Sequence, residues 1–451
     1  MIGSETLPET AQPAAAILSL RATVIAGPDQ GKSVQAPDRL SIGTGSANEL
    51  VLSDETVSRF HVELTRVGDR IGVRDQGSTN GTFQGDVRVL HVLARAGARF
   101  RIGKSLFEIM DGDAVAPELF EGARLVGLVG RSEPMRKLMA QIRKVSVSDA
   151  SILVTGETGS GKEVVARAIH DSSPRPNGPL EIVDCGAMQP TLIGSELFGH
   201  ERGAFTGAES QHIGAFERGD RGTIFLDEIG ELPSSLQTAL LGALERRSFR
   251  RLGGKTSIKF DARVISATHR DLRAEVNDGS FRQDLFYRLA VVTLRVPPLR
   301  ERPDDVPILI SHFLERQGPG LRLEDLFPPH VLRSLTSYRW PGNVRELRNT
   351  LEAALVMGEA PGLDASVEHP IGAPQPAQST ELSMPLSRIL TLPLTEAKAE
   401  LMEAFEAHYI KSLLERAEGS IPKAAALARV DRSYVSRLQR RYGIKLRRTP
   451  D

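Results

Sequence analysis

The spacing of apolar residues changes character several times along the chain. From about residue 18 to 112, short alternations are broken by Gly, Asp, Asn and Ser, and His61-Val62-Glu63-Leu64 and Arg70-Ile71-Gly72-Val73 repeat with period two. That period belongs to half-buried antiparallel strands, so the segment predicts an all-β sandwich. Between 124 and 302 the pattern becomes continuous apolar runs separated by helical stretches: Ile152-Leu153-Val154, Thr223-Ile224-Phe225-Leu226, Val264-Ile265 and Val291-Val292. Strands covered on both faces have this composition, and their alternation with helices predicts an α/β fold with a parallel sheet. Residues 303–357 carry helical spacing only. In 358–393, Pro, Ala, Gly and Ser displace any period, which predicts a linker; residues 1–17 have the same loose composition and read as a flexible tail. From 394 to 448 helical spacing returns, with Met402, Phe405, Tyr409 and Leu413 on one stripe.

Composition narrows the function. With 451 residues and roughly 150 per domain, about three folded units are expected. Lys+Arg 57 against Asp+Glu 57 gives no net charge, so contact with nucleic acid must rest on a local patch. Residues 411–450 supply one, with eleven Lys/Arg against three acids. The lone cysteine, Cys185, excludes a disulfide framework and a Cys-based zinc finger, and reads as a small buried apolar residue. No apolar run of about 18 residues is present. Nor does a basic segment precede an apolar core at the N-terminus. The expectation is a cytoplasmic protein without membrane contact.

The chemistry starts at Gly156-Glu157-Thr158-Gly159-Ser160-Gly161-Lys162, placed after the Ile152–Val154 run and opening a helical stretch. Glycines allow a tight loop whose amides point at phosphate oxygens, and the following helix N-terminus adds a favourable dipole. Lys162 would neutralise the β and γ phosphates of ATP. Glu163 stands where Ser or Thr is the usual magnesium ligand. Thr223-Ile224-Phe225-Leu226-Asp227-Glu228 supplies carboxylates at a strand end: Asp227 to hold Mg²⁺, Glu228 to polarise the attacking water. Phosphoryl transfer also needs positive charge at the γ-phosphate, and Arg282, Arg288 and Arg345 are the candidates.

Between these motifs lies Glu196-Leu197-Phe198-Gly199-His200-Glu201-Arg202-Gly203-Ala204-Phe205-Thr206-Gly207-Ala208. Small residues flank Phe205 and Thr206, predicting a mobile exposed tip. With this segment, residues 124–357 resemble the central AAA+ ATPase of sigma-54-dependent transcriptional activators, in which the loop matching Gly203, Ala204, Phe205, Thr206, Gly207 and Ala208 touches the sigma factor. The resemblance implies an α/β ATPase subdomain over 124–302 and a helical lid over 303–357. It implies Gly156–Glu163 around the nucleotide, Thr268 as one sensor and Arg345 as a second. It also implies Arg282 and Arg288 as fingers reaching a neighbour's site, hence a homo-oligomeric, hexameric ring. The family usually has Asn at the positions of Asp184 and His269. The Asn at the first is thought to hold the catalytic Glu, and Asp184 beside Glu228 would repel it unless one is protonated.

The flanks carry resemblances too. Residues 394–448 are similar to a Fis-type helix-turn-helix: a long helix, a short one, a turn at Arg429-Val430-Asp431, then Arg432-Ser433-Tyr434-Val435-Ser436-Arg437-Leu438-Gln439-Arg440-Arg441-Tyr442. Val435, Leu438 and Tyr442 can face a core, leaving Arg432, Ser433, Ser436, Arg437, Arg440 and Arg441 for DNA. Pairing of such domains implies an inverted-repeat upstream site. Residues 18–112 resemble a forkhead-associated (FHA) domain through Gly43, Ser58-Arg59-Phe60-His61 and Ser78-Thr79-Asn80-Gly81-Thr82. This implies phosphothreonine contact by Ser58, Arg59, Thr79 and Asn80, with His61 bracing the loops, and a phosphoprotein or Ser/Thr kinase as partner. Thr44 stands where an Arg usually follows that glycine, leaving Arg59 as the nearby guanidinium.

The expected architecture is thus an all-β sandwich, an α/β P-loop ATPase with helical lid, and an all-α DNA-binding unit. The expected role is ATP-driven opening of promoters held by sigma-54 RNA polymerase. Two alternatives stay open: a AAA+ remodeller with another target, and a DNA-binding regulator with a degenerate ATPase.

Overall fold

The computed structural model describes residues 17–187, 189–317, 327–357, 409–410, 413–414, 417, 420–428, 430 and 432–442. The tail, the 358–393 linker, Met402 and Phe405 of the long C-terminal helix, and Arg429 and Asp431 of the turn lie outside them. The chain divides into two units, Met1–Ser366 and Val367–Asp451.

The first unit begins with eleven strands: β1 (Ile17–Ala26), β2 (Ser33–Ala36), β3 (Arg39–Gly43), β4 (Leu50–Val51), β5 (Val62–Val67), β6 (Arg70–Asp75), β7 (Thr82–Gln84), β8 (Val87–Val89), β9 (His91–Ala94), β10 (Arg99–Ile102) and β11 (Ser105–Val115). They form two sheets, ordered β2-β1-β11-β10-β7-β8 and β4-β3-β5-β6-β9. The alternation read from sequence is clearest in β10, where Phe100 and Ile102 face inward while Arg99 and Arg101 face water; β6 instead buries Ile71, Gly72 and Val73 in succession. Phe100 stacks on Phe107 of β11 at 5.8 Å, each ring contributing about 1.5–3 kcal/mol by burial.

The ATPase subdomain has a five-stranded parallel sheet. Its order is Leu180–Asp184, Thr223–Asp227, Arg263–Thr268, Ile152–Thr155, Val292–Arg295. Thr223–Leu226 is buried at every position, which explains its unbroken apolar run. The helix Glu133–Ser146 buries Met135, Leu138, Met139 and Ile142 at steps of three and four. Its last carbonyls are satisfied by a buried guanidinium: Arg263 donates to Ser146 at 3.0 Å and Val145 at 2.9 Å, a cation at a helix C-terminus. Thr155, Asp184, Asp227 and Thr268 all end their strands at the carboxyl edge, where ligands bind in open α/β sheets.

The lid contributes the helices Asp305–Gln317, Pro329–Ser337 and Asn343–Met357. The fully buried Asp305 accepts from the amides of Arg131 and Ser132 at 2.7 and 2.8 Å and from the Ser132 hydroxyl at 2.8 Å. This one carboxylate pins the lid to the start of the Glu133 helix.

The sandwich docks on the ATPase subdomain through its β4–β5 loop. Phe60 packs edge-on against Phe286 at 5.2 Å and is buried within the ATPase core, with the Arg273 guanidinium 5.3 Å over its ring. Asn277, on the helix Leu272–Asp278, accepts from the Phe60 amide at 3.2 Å and donates to the carbonyls of Phe60 (2.5 Å) and Gln76 (2.9 Å). Ion pairs Arg74–Asp271 (3.5 Å), Arg273–Glu63 (3.6 Å) and Lys137–Asp38 surround this anchor.

In the second unit, the helices Ile421–Ala428 and Arg432–Arg441 close on Ile410, Leu413, Leu414, Ala424, Val435 and Leu438.

Candidate functional site

The loop between Ile152–Thr155 and the helix Lys162–Asp171 is shaped by two glycines with left-handed backbones, Gly159 (φ 76°) and Gly161 (φ 106°). A Cβ at Gly159 would also come within 2.5 Å of the Gly342 carbonyl, so only glycine lets the lid approach. Four contacts fix the loop. The Gly156 amide donates to the Thr268 carbonyl at 3.3 Å, and the Arg345 amide to the Gly159 carbonyl at 3.3 Å. The Glu157 carboxylate takes both Arg300 nitrogens at 2.7 and 2.6 Å, and that ion pair holds its pKa down against the cost of burial. Asn343 donates to Glu157 at 3.1 Å and to the Thr158 carbonyl at 3.2 Å.

Lys162, nearly buried, donates to the Gly156 carbonyl and to Glu228 Oε1, both at 3.2 Å. Glu228 sits just past Thr223–Asp227 with a left-handed backbone (φ 49°), an unfavourable conformation of the kind stored at functional sites. His269 holds its other oxygen twice, from Nδ1 at 2.7 Å and from its amide at 3.2 Å. Burial raises the Glu228 pKa, but the His269 and Lys162 interactions outweigh it and leave the carboxyl below its usual range. Asp227 goes the other way: burial, with the Glu228 charge, pushes it up although its Oδ1 accepts from the Glu228 amide at 3.0 Å. Asp227 makes no ion pair among the described residues. A divalent cation would relieve that strain, and the buried Ser160 hydroxyl, which lacks a hydrogen-bond partner, is a second unused oxygen. This sparse set fits Mg²⁺, which takes one or two carboxylates plus substrate phosphates and waters.

Several expectations need correction. The Asp184 carboxylate is engaged locally. Its Oδ1 accepts from the amides of Gly186 (2.8 Å) and Ala187 (3.2 Å), capping its own turn. Glu163 is not drawn into the site; it is exposed and pairs with Arg167 one helical turn on, at 3.8 Å. In the Gly203–Ala208 loop only part of the tip is free. The Gly203 amide closes on the Ala208 carbonyl at 2.8 Å, Thr206 is exposed, but Phe205 is half-buried, its ring edge-on to His200 at 4.9 Å. Ser436 is half-buried rather than outward.

The remaining candidate residues are placed as follows. Arg282 is exposed and paired with Asp284 at 3.0 and 2.7 Å, which raises its pKa. Arg288 donates to the Leu244 carbonyl at 3.1 Å. Among the described residues neither bonds the phosphate loop, Asp227 or Glu228 of its own chain. Burial pushes the Cys185 thiol up to about 12, so it is inert. Val435 and Leu438 are buried, while Arg432, Ser433, Arg437, Arg440 and Arg441 are exposed. In the sandwich, Ser58 Oγ accepts from the Thr79 amide at 3.0 Å and Asn80 Nδ2 donates to the Thr56 carbonyl at 2.7 Å. His61 accepts from the Ser58 amide at 3.0 Å and contacts the Gly81 carbonyl at 3.2 Å, buried and held neutral. Arg59 turns to the ATPase subdomain and lines a cleft of about 360 Å³ with Arg282, Gln283, Asp284 and Tyr287.

Sequence spacing missed Arg300, Asn343 and the holding role of His269. Arg300 stands in an Arg-Glu-Arg run with no period of its own. His269 was distinguishable only as an unusual residue after Thr268.

Residues 128–295 match the model of the sigma-54 interaction domain, 300–370 that of a AAA+ ATPase lid domain, and 23–113 that of the cytoplasmic domain of an inner-membrane component of type III secretion. Regulatory protein AtoC of Escherichia coli is 41% identical over 70% of this chain and 68% of its own length. The nitric oxide reductase transcription regulator NorR of Aeromonas salmonicida is 37% identical over 81% and 73%. The chain spans half the length of another E. coli relative, the activator HyfR. The crystal structure of NtrX from Brucella abortus in complex with ATP matches 70% of this chain and 69% of that one, at 32% identity and a TM-score of 0.50.

Proposed function

The chain belongs to the sigma-54-dependent transcriptional activators, and from that premise we propose that it hydrolyses ATP in a homo-oligomeric ring and uses the cycle to open promoters held by sigma-54 RNA polymerase. One observation carries the reading: the glycine loop, Lys162, Asp227 and Glu228 converge at the carboxyl edge of the sheet.

The residues divide the work by their chemistry. Loop amides and Lys162 bind the phosphates, and Asp227 would hold Mg²⁺, which supplies charge neutralisation between β and γ oxygens. Glu228 is kept ionised by its neighbours, so it can accept hydrogen bonding from the attacking water. Arg282 and Arg288, unused by their own chain's site, are free to serve a neighbour's. The Gly203–Ala208 loop is tethered at its base, where His200 and His212 exchange backbone bonds at 3.0 and 2.9 Å. That leaves Thr206 as the exposed contact for the sigma factor.

The Arg432–Arg441 helix, with five exposed polar or cationic residues, reads an inverted-repeat upstream DNA site. The sandwich receives the signal as an FHA domain, binding a phosphothreonine partner through Ser58, Arg59, Thr79 and Asn80. Arg59 and Phe60 already engage the ATPase subdomain, so peptide binding and docking draw on one loop.

The test is promoter opening in a purified system of sigma-54 polymerase, a sigma-54 promoter, ATP and this protein. Wild type opens the promoter, while Thr206→Ala hydrolyses ATP without opening it. Turnover without opening by a chain lacking residues 1–123 assigns the motor to another target.

A further inference from the structure

Glu228 has two carboxylate oxygens, and the chain assigns them to different partners. Oε1 takes the Lys162 ammonium at 3.2 Å; Oε2 takes His269 Nδ1 at 2.7 Å and the His269 amide at 3.2 Å. The two partners have different futures. Lys162 belongs to the phosphate loop, and a bound triphosphate competes for its ammonium. His269 bonds neither the phosphate loop nor Lys162 among the described residues, so nucleotide gives it no reason to let go. The other side chains nearby are already committed. Asp184 caps its own turn at 2.8 Å, and the Thr268 hydroxyl accepts from the Arg270 amide at 3.0 Å.

We propose that His269 is the positioning residue of the ATPase: it holds Oε2 of Glu228 while phosphate binding releases Oε1 to orient the attacking water. A free carboxylate rotates about its last side-chain torsion, and a group that must aim at a water in the right direction loses rate when it does. The left-handed backbone of Glu228 adds to the need for a second tether, because that conformation persists only when its surroundings impose it. His269 also lies three residues before the docking helix Leu272–Asp278, whose Asn277 grips the sandwich. The tether therefore stands on the backbone segment that joins the strand Arg263–Thr268 to the helix that grips the sandwich.

The inference rests on the ATPase reading above, and the experiment separates the two. Steady-state turnover and fluorescent-nucleotide binding are measured on the full chain for wild type, His269→Ala and His269→Asn. The Asn amide stands near the place of Nδ1 and keeps the backbone N–H. His269→Ala is expected to lower kcat about 10–100-fold, the loss that orienting partners produce at metal sites, with nucleotide affinity within about twofold. His269→Asn is expected to recover most of that loss, which also shows that the fold tolerates change at this position. Wild-type-like kcat in both variants overturns the proposal and leaves the ATPase reading intact. So does a loss in His269→Ala that appears entirely as weaker nucleotide binding. A wild type that binds but never hydrolyses ATP removes both.

Discussion

The phosphate loop and the β4–β5 loop of the sandwich both carry serine, threonine, acidic and basic residues, yet they are held in opposite ways. Around the phosphate loop the fixed contacts all go to backbone or to Glu157, and the working groups stay available: Ser160 has no hydrogen-bond partner, and Asp227 has no ion pair among the described residues. In the β4–β5 loop and the segment before β7, side chains are used to hold the chain itself. Ser58 caps Thr79, Asn80 caps Thr56, and Phe60 is inside another domain's core. The first leaves oxygens unsatisfied; the second is braced by its own chain while Arg59, Thr79 and Asn80 stay exposed. The sign of the pKa shifts follows. Asp227, buried beside the Glu228 charge, is pushed up, whereas Asp54 within the β4–β5 loop is held down by its hydrogen bonds.

The largest effect lies at a residue beside the β4–β5 loop that the proposed ring would bring to a neighbour's phosphate loop. Arg282 borders the cleft that Arg59 lines. Arg282→Ala should assemble and bind ATP but lose about 10³–10⁵ in turnover, the worth of an arginine finger. Near-normal turnover takes Arg282 out of the site. Next comes Phe60→Ala, which empties a place in the ATPase core and should cost about 3–5 kcal/mol of coupling. Calorimetry should then resolve separate sandwich and ATPase transitions, and phosphothreonine peptides should bind more tightly than to wild type. An unchanged single transition means the docking contributes nothing. The smallest effect concerns Asp54. Burial raises its pKa, but hydrogen bonds from Thr56, Ser105 and the Lys104 amide outweigh that. A carboxylate depressed in the folded state stabilises above its unfolded pKa of about 3.9, and that stability is lost as pH falls through the folded value. Urea midpoints should therefore fall more steeply below about pH 4 in wild type than in Asp54→Asn.

What could be read from sequence follows from what is local. The P-loop, the Thr223–Glu228 strand and the Gly203–Ala208 loop are contiguous, so their residue types and order state their geometry. Strand alternation exposed the sandwich for the same reason. The missing parts are those made across distance. The Arg300 clamp on Glu157 and the Asn343 bridge from the lid join segments far apart in the chain, and no periodicity marks them. The place of Asp184 at a strand end did not announce its cap: Asp184 and Asp227 are register partners on neighbouring strands, yet the Asp184 side chain turns to its own following amides. The exposure expected of Phe205 failed similarly, because His200, which shelters it, comes into position through a backbone bridge to His212.

The account stands on Glu228 as the group that activates water in a working nucleotide site. The direct measurement is ATP binding and turnover by the full chain beside Glu228→Gln, across a range of protein concentrations. The account predicts that the variant binds ATP as tightly as wild type and that its turnover falls by at least about a hundredfold. Equal turnover by the two would contradict it.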